Sequence, residues 1–168
     1  MARRVADNTA VQTAIATALK SKTGRDFHAV ECALSPTGEP TGSGTCTAIE
    51  SNGSRWEVEH SGGTNVILKD VALYAKTLET IVGGLARDLS KHYGLSTSIF
   101  PSGGALCGNM LRGKADESTQ CIAVLADKSS TDVTVRTTRV EDNRIYFQMF
   151  PNNRPDLSQS GWHLADPR

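Results

Sequence analysis

The sequence of 168 residues has few aromatic residues, no excess charge of either sign and no long apolar run. No stretch approaches the roughly 20 apolar residues of a membrane-spanning helix, so no transmembrane segment is expected. The start of the chain is polar and lacks the apolar core of a signal peptide. Because 18 Lys and Arg balance 18 Asp and Glu, we expect neither a basic surface nor a nucleic-acid partner.

The motifs that identify common catalytic sites are also missing. The sequence contains no Gly-x-Ser-x-Gly elbow, no glycine-rich phosphate-binding pattern and no Cys-x-x-Cys pair. The four histidines fall at non-equivalent places in the two halves of the chain: His28, His60, His92 and His163. We therefore predict that the protein is not an enzyme and has no cofactor or metal site.

Cysteine is scarce but regularly placed. Cys32 and Cys46 stand 14 positions apart, and so do Cys107 and Cys121. Zinc sites usually contain closely spaced pairs such as Cys-x2-Cys, and no histidine accompanies both pairs at a matching place. A disulfide within each pair is favoured, with free thiols or a metal site as the alternatives. Closing a loop of about 15 residues in this way stabilises a small unit by about 3 kcal/mol.

Each cysteine pair occurs in the same sequence context. A helix-like stretch ending in Leu-x-x-x-x-Gly precedes each pair, at Leu19–Gly24 and Leu89–Gly94, and a run typical of a β-hairpin follows it. We therefore predict an α+β protein of two tandem repeats, each a helix followed by a small antiparallel β-sheet with one disulfide inside the repeat. The expected divisions are repeat 1 at residues 1–70, repeat 2 at residues 71–150 and a loose polar C-terminal tail at residues 151–168.

Hydrophobic spacing places one helix in each repeat. After an N-cap at Asn8 or Thr9, the first helix is expected to run to a left-handed stop at Gly24. The second helix is expected to begin at Asp70 or only near Thr77, because apolar residues recur at helical spacing from this region onward.

The pair Asn52-Gly53 is typical of the two-residue type I′ turn of a β-hairpin. In that register, Glu50 and Arg55 form an exposed cross-strand pair. The register predicts a buried face with Thr47, Ile49, Trp56 and Val58, and an exposed face with Cys46, Ala48, Glu50, Arg55, Glu57 and Glu59.

A second hairpin is expected after Cys121, with Asp127–Ser130 as its loop. Its register predicts one face with Ile122, Val124, Val133 and Val135, and an opposite face with Cys121, Ala123, Leu125, Thr134 and Arg136. In both hairpins the cysteine lies opposite the face expected to be buried. Both disulfides are therefore predicted on the outer side of the sheets, away from the helices.

A last strand is expected at Arg144–Phe150, with alternate side chains inward and outward. Tyr146 and Phe150 then point outward. Large aromatic side chains on an outward face are uncommon without a partner. Together with Trp162 of the tail, Tyr146 and Phe150 are the candidate binding residues.

Two motifs resemble a small two-cysteine actinobacterial envelope domain of unknown function: Val30-Glu-Cys32 and Gly44-Thr-Cys46-Thr-Ala. That family is built as a helix followed by a disulfide-linked sheet, often behind a lipoprotein signal or a membrane anchor. The plan is also similar to that of the β-lactamase inhibitory proteins, although no motif is shared. Those are tandem helix-plus-sheet units whose concave sheet grips an enzyme. The resemblances imply binding and bring no catalytic residues.

These observations predict a non-enzymatic, inhibitor-like binding module that is secreted or exposed on the cell envelope. Its partner is expected to be a protein or an envelope component, held on the outer sheet faces or in the groove between the repeats. The alternative is a carrier or sensor of an apolar ligand held between helices and sheets. Disulfides favour an extracytoplasmic location, whereas Met1 as the natural start would favour reduced cysteines in the cytoplasm.

Overall fold

The computed structural model of the chain describes residues 2–32, 43–61, 65–95 and 104–166. The chain divides into two compact units, Met1–Asp70 and Val71–Pro167. Within the described ranges, each unit has one α-helix and a set of antiparallel β-strands. The predicted α+β class is therefore confirmed.

The first unit is a helix on one face of a four-stranded antiparallel sheet. Its elements are α1 (Ala2–Thr23), β1 (Phe27–Cys32), β2 (Ser43–Glu50), β3 (Arg55–Ser61) and β4 (Asn65–Leu68). The strands lie in the order β1-β2-β3-β4, and α1 contacts β1 and β4. Ile15 and Leu19 of α1 are fully buried, as are Trp56, Val58 and Leu68 of the sheet. These side chains form the core of the unit.

Helix α1 ends where the sequence predicts but begins earlier. Gly24 has a φ of 74°, and its N–H donates a hydrogen bond of 2.8 Å to the carbonyl of Lys20. This is the left-handed stop that glycine provides without steric cost. The helix begins at Ala2, so the predicted N-cap at Asn8 or Thr9 is wrong. The residues before Asn8 include good helix formers, which extend the helix past the possible cap.

The second unit has a longer sheet. Its elements are β5 (Ala72–Leu73), α2 (Ala75–His92), β6 (Ala105–Cys107), β7 (Leu111–Arg112), β8 (Ser118–Val124), β9 (Ser130–Glu141), β10 (Arg144–Pro151) and β11 (Gln159–Leu164). The main sheet has the order β11-β10-β9-β8-β6, and β5 pairs separately with β7. α2 packs on β6 and β8 through Leu78, Val82, Leu85 and Leu89, all of which are buried. Its start lies between the two predicted positions.

The loop of the first hairpin differs from the predicted one. The N–H of Glu50 donates to the carbonyl of Ser54, and the N–H of Gly53 donates to the carbonyl of Glu50, both at 2.9 Å. The loop therefore contains three residues, of which only Gly53 has a positive φ, 89°. This is a type I turn followed by a G1 bulge. The register moves by one residue, and Ala48 lies opposite Trp56.

A shift of one residue reverses the two faces of a strand. In β2, Cys46, Ala48 and Glu50 are buried, whereas Thr47 and Ile49 are partly exposed. The predicted faces of β2 are therefore wrong. The reason is that an Asn-Gly pair fits both a two-residue and a three-residue loop, and the length of the loop sets the register.

Glu50 is the residue most affected by this reversal. It was expected on the surface beside Arg55, but it is only 5% exposed. Its carboxylate accepts hydrogen bonds from Nε1 of Trp56 and from Nη1 of Arg25, which lies 2.9 Å away. The guanidinium of Arg25 also lies over the ring of Trp56, 5.3 Å from its centroid. A buried carboxylate needs such partners, because an unpaired buried charge is strongly unfavourable.

The second hairpin has the same kind of loop 75 positions further along the chain. The N–H of Leu125 donates to the carbonyl of Ser129 at 2.8 Å, and the N–H of Lys128 donates to the carbonyl of Leu125 at 2.9 Å. Lys128 occupies the left-handed position with a φ of 69°. Hydrogen bonds from the hydroxyl and the N–H of Ser129 hold the pKa of Asp127 below its ordinary value.

This loop also reverses the predicted faces of β8. Cys121 lies opposite Val133 and is buried, and Ala123 is buried on the same side. Ile122, which was expected to be inward, is exposed on the outer face. The prediction for β9 is right in placing Val133 and Val135 in the core.

Both predicted disulfides are present. Cys32–Cys46 joins β1 to β2, and Cys107–Cys121 joins β6 to β8. Each bond links residues that lie directly opposite each other in the register. Because Cys46 and Cys121 are buried, the disulfides lie on the inner side of the sheets, and the predicted outer position is wrong.

Within the described part of the C-terminal segment, Gln159–Leu164 form a strand rather than a loose extension. β11 pairs with β10, and the chain then returns to the start of α2. There the N–H of Asp166 donates to the carbonyl of Ala72 at 2.9 Å. Its carboxylate accepts hydrogen bonds of 2.7 Å from the N–H of Tyr74 and from Oγ1 of Thr77. Asp166 thus caps the helix, since the side chain of the N-cap residue Tyr74 does not.

We expect Asp166→Ala to lower the unfolding free energy of the second unit by about 1 kcal/mol, the usual effect of removing a helix cap. Asp166→Asn is the matched control, because its amide oxygen still accepts a hydrogen bond from a helix N–H. Urea denaturation followed by circular dichroism measures both. Equal stability of Asp166→Ala and the wild type would contradict the capping role.

From the geometry of the two hairpin loops, we expect substitutions at Gly53 and Lys128 to change the unfolding free energy in opposite directions. Gly53→Ala should destabilise by about 1 kcal/mol, because a Cβ is strained at positive φ. Since nothing lies within 4 Å of a Cβ at Gly53, this strain is the only cost. Lys128→Gly should instead stabilise by about 0.5 kcal/mol, because it relieves the same strain. Chemical denaturation of the two variants tests the loop geometry, and changes of the same sign would disprove it.

Candidate functional site

The outward side chains of β9, β10 and β11 form a continuous face on the second unit. Tyr146 lies at its centre, with Arg139 of β9 opposite it on one side and Trp162 of β11 on the other. A bulge in β9 produces this alignment, because Thr138 has no partner residue in β10. Oγ1 of Thr138 donates instead to the carbonyl of Tyr146 at 3.1 Å.

Each aromatic ring of this face has a guanidinium over it. The distances from Cζ to the ring centroid are 4.0 Å for Arg139 and Tyr146, 4.9 Å for Arg144 and Trp162, and 5.7 Å for Arg136 and Phe150. These six residues are named the arginine–aromatic face. Such contacts fix the orientation of both groups and contribute about 0.5–1 kcal/mol each at exposed sites.

Trp162 is the most exposed aromatic residue of the face. It is 54% exposed, and its ring centroid lies 6.5 Å from that of Tyr146. The preceding residue explains how β11 presents it. A Cβ at Gly161 would lie 3.0 Å from the ring of Phe147, so glycine lets β11 lie against β10 at this point. At this point of the strand the only large side chain is therefore that of Trp162, which points outward.

The face carries a positive charge, although the balanced composition of the chain predicted no basic surface. Arg136, Arg139 and Arg144 all point outward, and the nearest carboxylate described on these strands is that of Glu141, whose Oε2 lies 3.7 Å from Nε of Arg139. The remaining positive charge is exposed beside apolar rings. A surface of this composition is complementary to carboxylates that stand next to apolar groups.

Further along the same side of the sheet, the surface changes character. Gln120, Thr134 and Asn152 form a hydrogen-bonded cluster, in which Oγ1 of Thr134 donates to Oδ1 of Asn152 at 2.6 Å. Beyond it, Leu106 of the edge strand lies opposite Ile122, and both are exposed. The outer side of this sheet therefore has a basic aromatic end, a polar middle and an aliphatic edge.

The structure brings the three predicted binding residues together. Tyr146, Phe150 and Trp162 belong to one side of the sheet, because β11 adds Trp162 beside Tyr146. Sequence reasoning placed Arg136 on the face opposite the predicted core but did not connect it, Arg139 or Arg144 with the aromatic residues. The position of Arg139 opposite Tyr146 depends on the bulge in β9. The signal in the sequence was the alternation of Tyr146, Gln148 and Phe150. It identifies the outward side of β10 but not which residues of β9 and β11 lie beside it.

No protein-family model, no curated protein and no solved structure matches this chain. The resemblances to the envelope domain and to the β-lactamase inhibitory proteins therefore remain expectations, and the site has to be interpreted from its own geometry.

Two further features bear on binding. A cavity between α2 and the sheet, lined by Gly83, Ser90 and Gly104 among others, has a volume of about 10 Å³, enough for a single water. It is too small for an apolar ligand. In the first unit, the sulfurs of Cys32 and Cys46 and a ring nitrogen of His60 lie within 4.8 Å of one another. The two sulfurs are joined in the disulfide, and with the imidazole they would have the chemistry of zinc ligands only as thiolates.

Neither helix in the described part of the chain is both long enough and apolar enough to cross a bilayer.

We expect Trp162→Ala to lower the unfolding free energy by no more than about 1 kcal/mol, because half of this side chain is already in water. Phe147→Ala, on the inner side of the neighbouring strand, is the contrast. Phe147 is 4% exposed, and its removal should cost about 3–5 kcal/mol. Urea denaturation measures both. A loss at Trp162 as large as that at Phe147 would mean that Trp162 holds the fold rather than presenting a surface.

Proposed function

We propose that this chain is a non-enzymatic binding protein of the cell envelope or the extracellular space. It holds a protein partner on the arginine–aromatic face of the second unit. The observation that carries the proposal is the exposed Trp162 beside Tyr146, with arginines over both rings.

The composition of the face matches that of binding hot spots. Trp, Tyr and Arg are the residues most enriched among those that dominate the energy of protein interfaces. They are effective because they combine a large apolar area with few rotatable bonds or with a planar set of hydrogen-bond donors. Here the contacts between rings and guanidinium groups hold the side chains in place before a partner arrives, which lowers the entropic cost of association.

Charge identifies the kind of partner. Three outward arginines favour a protein surface with carboxylates, and the rings between them favour aliphatic groups beside those carboxylates. An enzyme bound in the manner of an inhibitor is one protein of this kind. The alternative function, a carrier of an apolar ligand, has weaker support, because the cavity of about 330 Å³ between α1 and β1 is lined by polar side chains such as Gln12, Thr13 and His28 as well as by apolar ones.

The two units support a history of duplication followed by divergence. Positions 75 residues apart carry the disulfides, the three-residue hairpin loops and the pairing of a cysteine with a valine on the next strand. The outer faces differ, however. In the first unit the outward residues of β3 are Arg55, Glu57 and Glu59, with no aromatic ring among them. The outward side of β3 therefore has no counterpart of the arginine–aromatic face described in the second unit.

The disulfides support the proposed location. All four cysteines of the chain are paired, and paired cysteines persist in oxidising compartments rather than in a reducing cytosol. A protein exposed outside the cytoplasm would meet its partner at a surface or in a secreted mixture. The binding face fits that role, because it is already formed in the free chain.

The test compares the wild type with the double variant Tyr146→Ala plus Trp162→Ala as immobilised baits for extracts of envelope and secreted proteins. We expect at least one acidic protein to bind the wild type and to be about tenfold or more depleted on the double variant, since each hot spot contributes about 2 kcal/mol. The captured protein is then purified, and its direct affinity for both baits is measured by calorimetry.

The matched control is Ile67→Ala, which removes an exposed apolar side chain from the first unit. It should retain the partner. Equal capture by the wild type and the double variant would refute the assignment of the face. Binding of a single-stranded oligonucleotide that is lost in the double variant would identify the face as a nucleic-acid site instead. Self-association lost in the double variant would identify the partner as a second copy of the chain.

A further inference from the structure

The surroundings of the two disulfides differ in one respect. In the first unit, His60 of β3 lies opposite Gly44 of β2, on the same inner side as Cys46. The residues 75 positions later are Val135 and Thr119, which also lie opposite each other. The first disulfide therefore has an imidazole beside it, and the second has an aliphatic side chain.

His60 has an unsatisfied nitrogen. The residue is 8% exposed, and its Nδ1 is buried with no hydrogen-bond partner among the described residues. Gly44 has no side chain, and a Cβ there would lie in van der Waals contact with the ring, 3.4 Å from Nε2. A buried polar atom without a partner is uncommon and calls for a reason.

The sulfur atoms next to the imidazole of His60 provide a reason for its unpaired nitrogen. The ligand atoms of Cys32, Cys46 and His60 lie within 4.8 Å of one another. Zinc bonds of about 2.3 Å to sulfur and about 2.0 Å to nitrogen place ligand atoms at separations of this order. The three side chains come from three adjacent strands, so the sheet itself holds them together.

We infer that reduction of the Cys32–Cys46 disulfide creates a Zn²⁺ site made of these two sulfurs and His60. A dithiol reductant supplies two electrons and two protons, so that the S–S bond breaks, two thiols form and the reductant becomes a disulfide. Zn²⁺ then binds both sulfurs as thiolates, and the two thiol protons pass to solvent. His60 binds as the neutral imidazole, and a water molecule completes the tetrahedron.

The site gives the first unit a second way to join β1 to β2. Under oxidising conditions the disulfide links the two strands, and under reducing conditions the metal links the same two side chains. Among the described residues of the second unit, Cys107 and Cys121 belong to no such cluster, because Val135 stands where the first unit has His60. Reduction is therefore expected to affect the two units unequally when Zn²⁺ is present. This inference is independent of the proposed partner on the arginine–aromatic face.

The test uses the whole chain, reduced under argon with an immobilised dithiol and then titrated with Zn²⁺ in competition with a chromophoric chelator. The reduced wild type should bind one Zn²⁺, and the oxidised protein should bind none. His60→Val, which copies the second unit, should bind at least about 100-fold more weakly. Loss of a mere supporting contact to a ligand already costs about 10–100-fold. With Co²⁺ as the probe, the reduced wild type should show thiolate charge-transfer bands typical of a tetrahedral site.

A variant that gains a site in the second unit provides a test that does not depend on whether His60→Val folds correctly. Val135→His places an imidazole beside Cys107 and Cys121, and Thr119→Gly removes the side chain opposite it, as at Gly44 in the first unit. The reduced double variant should bind two Zn²⁺ instead of one. The inference is overturned if the wild type and His60→Val bind equally, if the oxidised protein binds Zn²⁺, or if the double variant still binds one.

Discussion

A three-residue loop with one left-handed residue sets the register of the central hairpin in each unit, and the core depends on that register. It places Cys46 opposite Val58 and Cys121 opposite Val133, with all four side chains on the helix side of the sheets. The disulfides consequently tie the first strand of each sheet to its neighbour from within the core. Units of this size bury limited apolar surface, so a link that contributes about 3 kcal/mol is a large part of their stability.

The two units share this plan and differ in what surrounds it. The second unit extends its sheet with β10 and β11. After β11, Asp166 lies at the start of α2 and accepts a hydrogen bond from the N–H of Tyr74. β11 places Trp162 beside Tyr146, so that the outward side chains of neighbouring strands form one continuous surface. The first unit lacks this surface but has His60 beside its disulfide. Binding and sensitivity to reduction would then reside in different units of one chain.

Several features follow from local patterns and were predictable. The spacing of Leu78, Val82, Leu85 and Leu89 identifies the buried side of α2, because a helix repeats every 3.6 residues. The alternation in β10 likewise identifies its buried residues, since successive side chains of a strand point to opposite sides. The equal cysteine spacing identified the correct disulfides. Each of these inferences needs only the chain near the residues concerned.

Other features required the folded chain. The Asn52-Gly53 pair is compatible with two loop lengths. The longer loop buries Cys46, Ala48 and Glu50, and it fits the packing under α1, where Trp56 and Arg25 are in contact. The arginine–aromatic face depends on which strands are neighbours and on one unpaired residue in β9. Spacing along the chain thus established that both helices exist, which residues form the hairpin strands and how the cysteines pair, whereas β11 was not predicted. Contacts between distant segments settled which sides are buried and which side chains meet, because a shift of one residue changes both.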